Sequence, residues 1–154
     1  MMMELLKTAV KQPLKVNQLQ LSAAFTPSFE AGFHVNMEGP KAAVRDGSVF
    51  EYCRLTDTVI QAWSALQHGY FKGNFVGKEE FAALNHVLND LAKKYQVTPT
   101  AIALAWVLRY PGKMQAVIGT TKPQHVLEAG KAATVTLTRK EWYQIYLAAG
   151  NDLP

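Results

Sequence analysis

No disulfide can close within this chain, because Cys53 is the only cysteine in 154 residues. A lone thiol suits a reducing compartment, so the cytoplasm is the expected location, and such a cysteine is most often a small core hydrophobe. Long hydrophobic runs are missing too: no segment approaches the ~20 apolar residues of a membrane span. Met1 to Leu6 has neither the basic start nor the small-residue cleavage site of a secretory leader. There is no internal repeat, low-complexity tract or Pro/Gly-rich linker, so residues 1–154 are read as one piece. A basic stripe is also lacking. The net charge is +4, yet the longest basic groups are the pairs Lys93-Lys94 and Arg139-Lys140, both on expected helix surfaces. A nucleic-acid-binding module is therefore disfavoured. Mild basicity suits a small anionic ligand without selecting one. His34 and Asn36 lie in an irregular stretch with no second ligand at metal spacing, so no metal site is expected.

What is present is a globular composition, 49% hydrophobic and 18% charged, in a chain long enough for one core. Leu5, Leu6, Ala9 and Val10 have helical spacing within Met3 to Lys11, and Pro13 ends that helix. No N-cap precedes it, and three methionines form its first turn, which suggests a missing upstream segment. Leu14 to Ser22 reads as a strand in which Leu14 and Val16 share a face with polar Gln18. A strand whose C-terminal end reaches a polar site changes character in this way, and so does an ordinary strand end. Phe25 to Lys41 is a loop or broken helix. Val49 to Arg54 reads as a helix with Val49, Phe50 and Cys53 on one face and Ser48 as its cap.

Thr58 to Ser64 is the second expected strand, with Trp63 at its exit. Gly69 to Gly77 alternates glycines with aromatics, and is either a lid over the strand ends or a well-packed Ω-type loop. Glu79 to Tyr95 is the clearest helix, with Phe81, Leu84, Val87, Leu88 and Leu91 on one face. Thr98 caps the next helix and Pro99 occupies its first turn. Ala116, Val117 and Ile118 then form a short apolar run of the kind a doubly covered parallel strand uses, and Gly119 lets the chain leave it closely. Thr120 and Thr121 offer hydroxyl and N–H groups at the mouth of a helix that Pro123 opens, an arrangement that favours phosphate. This helix runs to about Ala132. Thr138 and Glu141 form a capping box before a last helix that Gly150 ends. Strands alternating with helices imply a parallel sheet with right-handed crossovers. Three such strands would leave both edges open, so the chain reads as part of a larger α/β unit.

Taken together, Asn17-Gln18, Ala62-Trp63-Ser64 and Ile118 to Gln124 (I-G-T-T-K-P-Q) resemble an aldo/keto reductase. The stretches V-N-Q-L-Q-L-S, D-G-S…Y-C-R, I-Q-A-W-S…G, T-A-I-A-L-A-W and E-W-Y-Q-I-Y-L-A-A-G-N-D-L-P are similar to the C-terminal half of a bacterial member, almost end to end. The resemblance implies an α/β fold: a partial (β/α)8 TIM barrel supplying strands six, seven and eight with flanking helices, and a site at the C-terminal strand ends. It implies that Gln18 contacts the nicotinamide carboxamide, that Trp63 stacks on the nicotinamide ring, and that Ser64 and Leu66 lie along the cofactor phosphates. Gly119, Thr120 and Thr121 would lie near the adenosine 2′-phosphate, with Lys122 and Gln124 in the same motif and Glu128 matching the acid that contacts adenine. His125 stands where a phosphate-gripping Arg is frequent, and neutral imidazole is a weaker phosphate ligand than guanidinium. The resemblance implies NADP as the cofactor, and the His125 departure keeps NAD as the alternative.

The family's catalytic tetrad of Asp, Tyr, Lys and His is carried on strands two to four, which have no counterpart here. Neither Tyr70 nor His68 replaces it by any motif, so no catalytic residue is assigned. The expectation is an oxidoreductase acting on a small carbonyl substrate, present as a fragment that is inactive alone and completed by an N-terminal half-barrel polypeptide. The alternative is a non-catalytic nucleotide-binding or structural remnant stabilised by self-association.

Overall fold

A computed structural model describes residues 2–28, 48–69 and 72–153. The described elements are α1 (Met2–Lys7), β1 (Val16–Gln20), α2 (Ser48–Leu55), β2 (Val59–Trp63), α3 (Ala82–Tyr95), α4 (Pro99–Leu108), β3 (Met114–Ala116), α5 (Pro123–Gly130) and α6 (Arg139–Ala148). Short 3-10 turns at Glu79–Phe81 and Lys131–Thr134 adjoin α3 and α5. The strands form one parallel sheet in the order β1-β2-β3. The expected α/β alternation is therefore present, and most of the loop from Phe25 to Lys41, with His34 and Asn36, lies outside the described residues.

One face of this sheet is covered. Alternation places Ile60 and Ala62 on that face of β2, and both are fully buried. Helix α4 lies nearby, packed against β3, α3 and α5. Every residue from Ala101 to Val107 is buried, as a helix that is apolar on all sides requires. Its start follows from sequence: the Thr98 hydroxyl accepts the Ala101 N–H at 3.2 Å, and Pro99 opens the first turn. Leu84, Leu88 and Leu91 of α3 are buried on the face their spacing predicts, each fully buried leucine contributing roughly 2 kcal/mol. Helix α6 is fastened by the indoles of Trp106 and Trp142, stacked with centroids 4.8 Å apart. Each indole N–H donates to the other residue's carbonyl, at 3.0 and 3.1 Å.

The capping box is formed as expected and does more than begin α6. Glu141 accepts the Thr138 backbone N–H and hydroxyl, both at 2.7 Å, and the Tyr95 hydroxyl at 2.8 Å. The Lys94 ammonium reaches its other oxygen at 2.5 Å. Burial of this carboxyl works to raise its pKa, but the Lys94, Thr138 and Tyr95 hydrogen bonds outweigh burial and lower it to about 2. One carboxylate thus ties the C-terminal end of α3 to the N-terminal end of α6.

Several expected details are corrected. Ser48 is the first residue of α2 rather than a cap outside it, and Val49 is exposed while Phe50 and Cys53 are buried. Helix α1 ends at Lys7, short of Lys11. Strand β3 begins and ends two residues earlier than the apolar run Ala116-Val117-Ile118 suggests, because its register is set by β2: Ile60 pairs with Met114 and Ala62 with Ala116. One further bond, from the Val117 N–H to the Ala62 carbonyl at 2.9 Å, closes the ladder. Gln115 within β3 is exposed, as is Val117 just beyond it at 38%, so β3 is not doubly covered among the described residues. Gly119 does not have a left-handed φ, and a Cβ there would meet nothing within 4 Å, so close exit from the strand is not what a glycine supplies.

Candidate functional site

The second face of the sheet has different chemistry. Period-two alternation puts Val16, Gln18 and Gln20 of β1 on it, with Val59, Gln61 and Trp63 of β2 and Gln115 of β3. Parallel register then aligns three amides: Gln18 lies opposite Gln61, and Gln61 opposite Gln115. Gln18 Nε2 donates to Gln61 Oε1 at 2.8 Å, and Gln61 Nε2 donates to Gln115 Oε1 at 2.9 Å. The result is a row of side-chain amides across the sheet. One rung toward the strand ends, Gln20 pairs with Trp63, and the buried Gln20 Nε2 has no hydrogen-bond partner. An uncompensated buried donor costs about 1–3 kcal/mol, so a polar ligand group reaching this rung would be stabilised by it.

Beyond Trp63 the chain turns sharply. Ser64 has a φ of 54°, an uncommon conformation for a residue with a side chain, and its carbonyl accepts the Gln67 N–H at 2.8 Å. The surrounding structure holds it there. The Ser64 hydroxyl donates to Gln67 Oε1 at 3.0 Å, and the Ser22 hydroxyl to the Gln67 carbonyl at 2.5 Å. The following segment is pinned by an antiparallel bridge between Gln67 and Asn74 and by Phe75, which is fully buried. Asn85, itself buried, accepts the Gly77 N–H at 2.7 Å and donates to the carbonyls of Phe75, Lys78 and Phe81. Residues 73–78 are thus a packed loop, while Tyr70 and Phe71 lie outside the described residues.

This turn meets the exit of β3. Trp63, Ser64, Leu66 and Gly119 line one cavity of about 390 Å³, together with Asn74 and Ile118. Gly119 leaves its wall open, which fits a ligand passing between the two turns. Thr120, Thr121, Lys122, Gln124, His125 and Glu128 do not line the cavity; they continue from Gly119 along the turn and the first part of α5. Thr120 Oγ1 accepts the Lys122 N–H at 3.2 Å and lies 3.4 Å from His125 Nδ1, and Gln124 donates to Glu128 at 3.1 Å. Lys122 gives this end a positive charge that suits phosphate, whereas Pro123 has no N–H and the His125 and Val126 N–H groups donate to the Lys122 carbonyl at 3.0 and 3.3 Å. Gln18 is outside the cavity as well, on the same sheet face as Trp63 and two residues below its level. Among the described residues, no group of three His, Cys, Asp or Glu side chains could hold a metal ion. No described helix is long and apolar enough to cross a membrane.

The aldo/keto reductase family model matches residues 6–148. The chain belongs to the aldo/keto reductase family. It is 31% identical over 151 residues to a 6-dehydroglucose reductase of Agrobacterium fabrum, a match that covers 97% of this chain and 43% of that protein. It is 33% identical over 95 residues to oxidoreductase YdhF of Escherichia coli, covering 60% of this chain and 30% of that one. Among solved structures, the thermostable aldo-keto reductase Tm1743 superposes with a TM-score of 0.63 at 21% identity, covering 94% of this chain and 43% of that chain. A point mutant of Gox0644, solved in complex with NADPH, superposes with a TM-score of 0.58 at 16% identity, covering 94% and 42%. This family member therefore spans less than half the length of the relatives named here, and its three described strands are a partial barrel.

Gln20, Gln61 and Gln115 are the site-face residues that sequence reading missed. The alternation of V-N-Q-L-Q is the signal that could have put Gln20 beside Gln18. The lateral alignment of Gln18, Gln61 and Gln115 depends on strand register, which no local pattern encodes.

Proposed function

We propose that this chain carries the cofactor-binding portion of an NADP-dependent aldo/keto reductase that reduces a small carbonyl substrate, and that it is not catalytic alone. The observation that carries this reading is the convergence of the β2 and β3 exits on one cavity, above a sheet face that bears Gln18 and Trp63. Bound there, a nicotinamide dinucleotide would supply the hydride for carbonyl reduction. Trp63 would hold the nicotinamide ring, Gln18 its carboxamide, and Ser64 and Leu66 the path of the phosphates. Thr120, Thr121, Lys122 and His125 would hold the adenosine phosphate, with Gln124 and Glu128 beside the adenine. A relative named a dehydroglucose reductase and a fold neighbour in complex with NADPH support the substrate class and the cofactor.

The proton donor of the reduction belongs to strands outside this sequence, supplied by an N-terminal half-barrel, so the open sheet face is also where those strands would dock. The second reading, a nucleotide-binding or structural remnant stabilised by self-association, draws on the same open face, where Val16 and Val117 are 44% and 38% exposed. Titration with NADPH and NADH, followed by tryptophan emission, tests the cofactor assignment. Saturable quenching, tighter for NADPH and lost in Trp63→Ala, is expected; quenching by neither nucleotide would overturn the cofactor assignment, and quenching that survives Trp63→Ala would overturn the stacking role of Trp63. NADPH consumption with a generic aldehyde is expected only when strands bearing the tetrad are added. Turnover by the chain alone would contradict that part of the reading.

A further inference from the structure

We infer that Gln61 is a positioning residue that fixes which end of the Gln18 amide faces the ligand, and so selects a ligand that donates a hydrogen bond to Gln18. The inference rests on the cofactor reading above for the ligand's identity, and on the amide row for the mechanism.

A glutamine side chain has a donor end and an acceptor end of almost the same shape, and only its hydrogen-bond partners decide which way it points. In this sheet the row has a direction. Gln18 donates through Nε2 to Gln61 Oε1, and Gln61 donates through Nε2 to Gln115 Oε1. Gln61 is half-buried between two neighbours with which it is in register, and its carbonyl end faces β1 and its amino end β3. Gln18 turns its own amino group toward that carbonyl end. Its carbonyl oxygen is left facing away from the row, and no described residue donates to it.

An exposed acceptor at this point is complementary to a carboxamide N–H and not to a carbonyl or a methyl group. Nicotinamide has such an N–H, whereas the dinucleotide with an acetyl group in place of the carboxamide has none. One hydrogen bond of ordinary strength corresponds to about fivefold in affinity, and leaving the site's acceptor unpaired adds to the discrimination. Gln61 thereby acts on the ligand without touching it.

Three Gln61 variants separate this role from a general contribution to the sheet. Gln61→Glu keeps an acceptor facing Gln18, Gln61→Leu offers neither donor nor acceptor, and Gln61→Lys offers only a donor, which would turn the Gln18 amide around. Affinities for NADPH and for its acetylpyridine counterpart are measured by tryptophan quenching. Wild type and Gln61→Glu are expected to prefer the carboxamide cofactor by about fivefold. Gln61→Leu should lose most of that preference, and Gln61→Lys should abolish or reverse it. A preference unchanged in Gln61→Lys, or lost in Gln61→Glu, would overturn the role of Gln61. If wild type binds neither nucleotide, the cofactor reading fails, and the row is read without ligand from the Gln18 side-chain amide signals in 15N-edited NMR. Those signals should stay in place in Gln61→Glu and move in Gln61→Lys; signals that are identical in all variants would overturn the amide row itself.

Discussion

On β2, Ile60 and Ala62 are fully buried on the helix-covered side, while Gln61 and Trp63, each one residue further on, belong to the open face with Gln18 and Gln115. The covered face has the properties of a finished core: apolar residues, reciprocal indole bonds and a buried carboxylate with every partner in place. The open face has amides in register, an unpaired buried donor on Gln20, an unfavourable φ at Ser64 and half-exposed valines. Such features cost stability where they stand, and they collect where a ligand or further strands would compensate them. The contrast teaches that folding information and binding information are interleaved along one strand, one residue out of phase.

The largest way to break this comparison is to treat both faces alike by mutation. Trp106→Ala removes the stack and both indole bonds from the covered side and is expected to cost about 3–5 kcal/mol in urea unfolding. Gln61→Leu on the open face is expected to change the same measurement by no more than about 1 kcal/mol. Equal losses would mean that the amide row is part of the core.

Acid provides the next largest effect. The carboxyl of Glu141 is held below its ordinary value of 4.5, at about 2, so its contribution is complete above pH 4.5 and is lost as the pH falls toward 2. The size is on the order of 3 kcal/mol. In urea unfolding between pH 6 and pH 2, Glu141→Gln should be less stable than wild type at the upper end and should show a shallower acid slope. A parallel pair of slopes would remove the carboxylate from the account.

A smaller effect sharpens the border between the faces. Asn85→Ala removes three bonds that hold residues 73–78 beside the cavity and a fourth to Phe81, at about 1–3 kcal/mol. Faster proteolysis within that loop, with cleavage elsewhere unchanged, is the expected result; uniform sensitivity would indicate that Asn85 supports the whole fold.

Much of the covered side was legible in sequence. The Thr98-Pro99 start of α4, the Leu84-Leu88-Leu91 stripe of α3 and the Thr138-Glu141 capping box are local patterns, and each formed where its spacing placed it. Strand β3 was displaced by two residues, since a short parallel strand is bounded by its neighbour's register rather than by its own hydrophobicity. At the candidate site, Trp63, Ser64, Leu66 and Gly119 could be named from motifs, and the structure puts them around one cavity. Gln61 and Gln115 could not, since their meaning arises only when three strands are laid side by side.

The most direct test of the central claim, that the exits of β2 and β3 form a single cofactor surface, is amide hydrogen exchange with and without NADPH. The account predicts slower exchange in Ser64 to Gln67 and in Gly119 to Lys122 together, with the segment from Ala101 to Val107 unchanged. No change at either turn, or slowing confined to the helix-covered side, would contradict it.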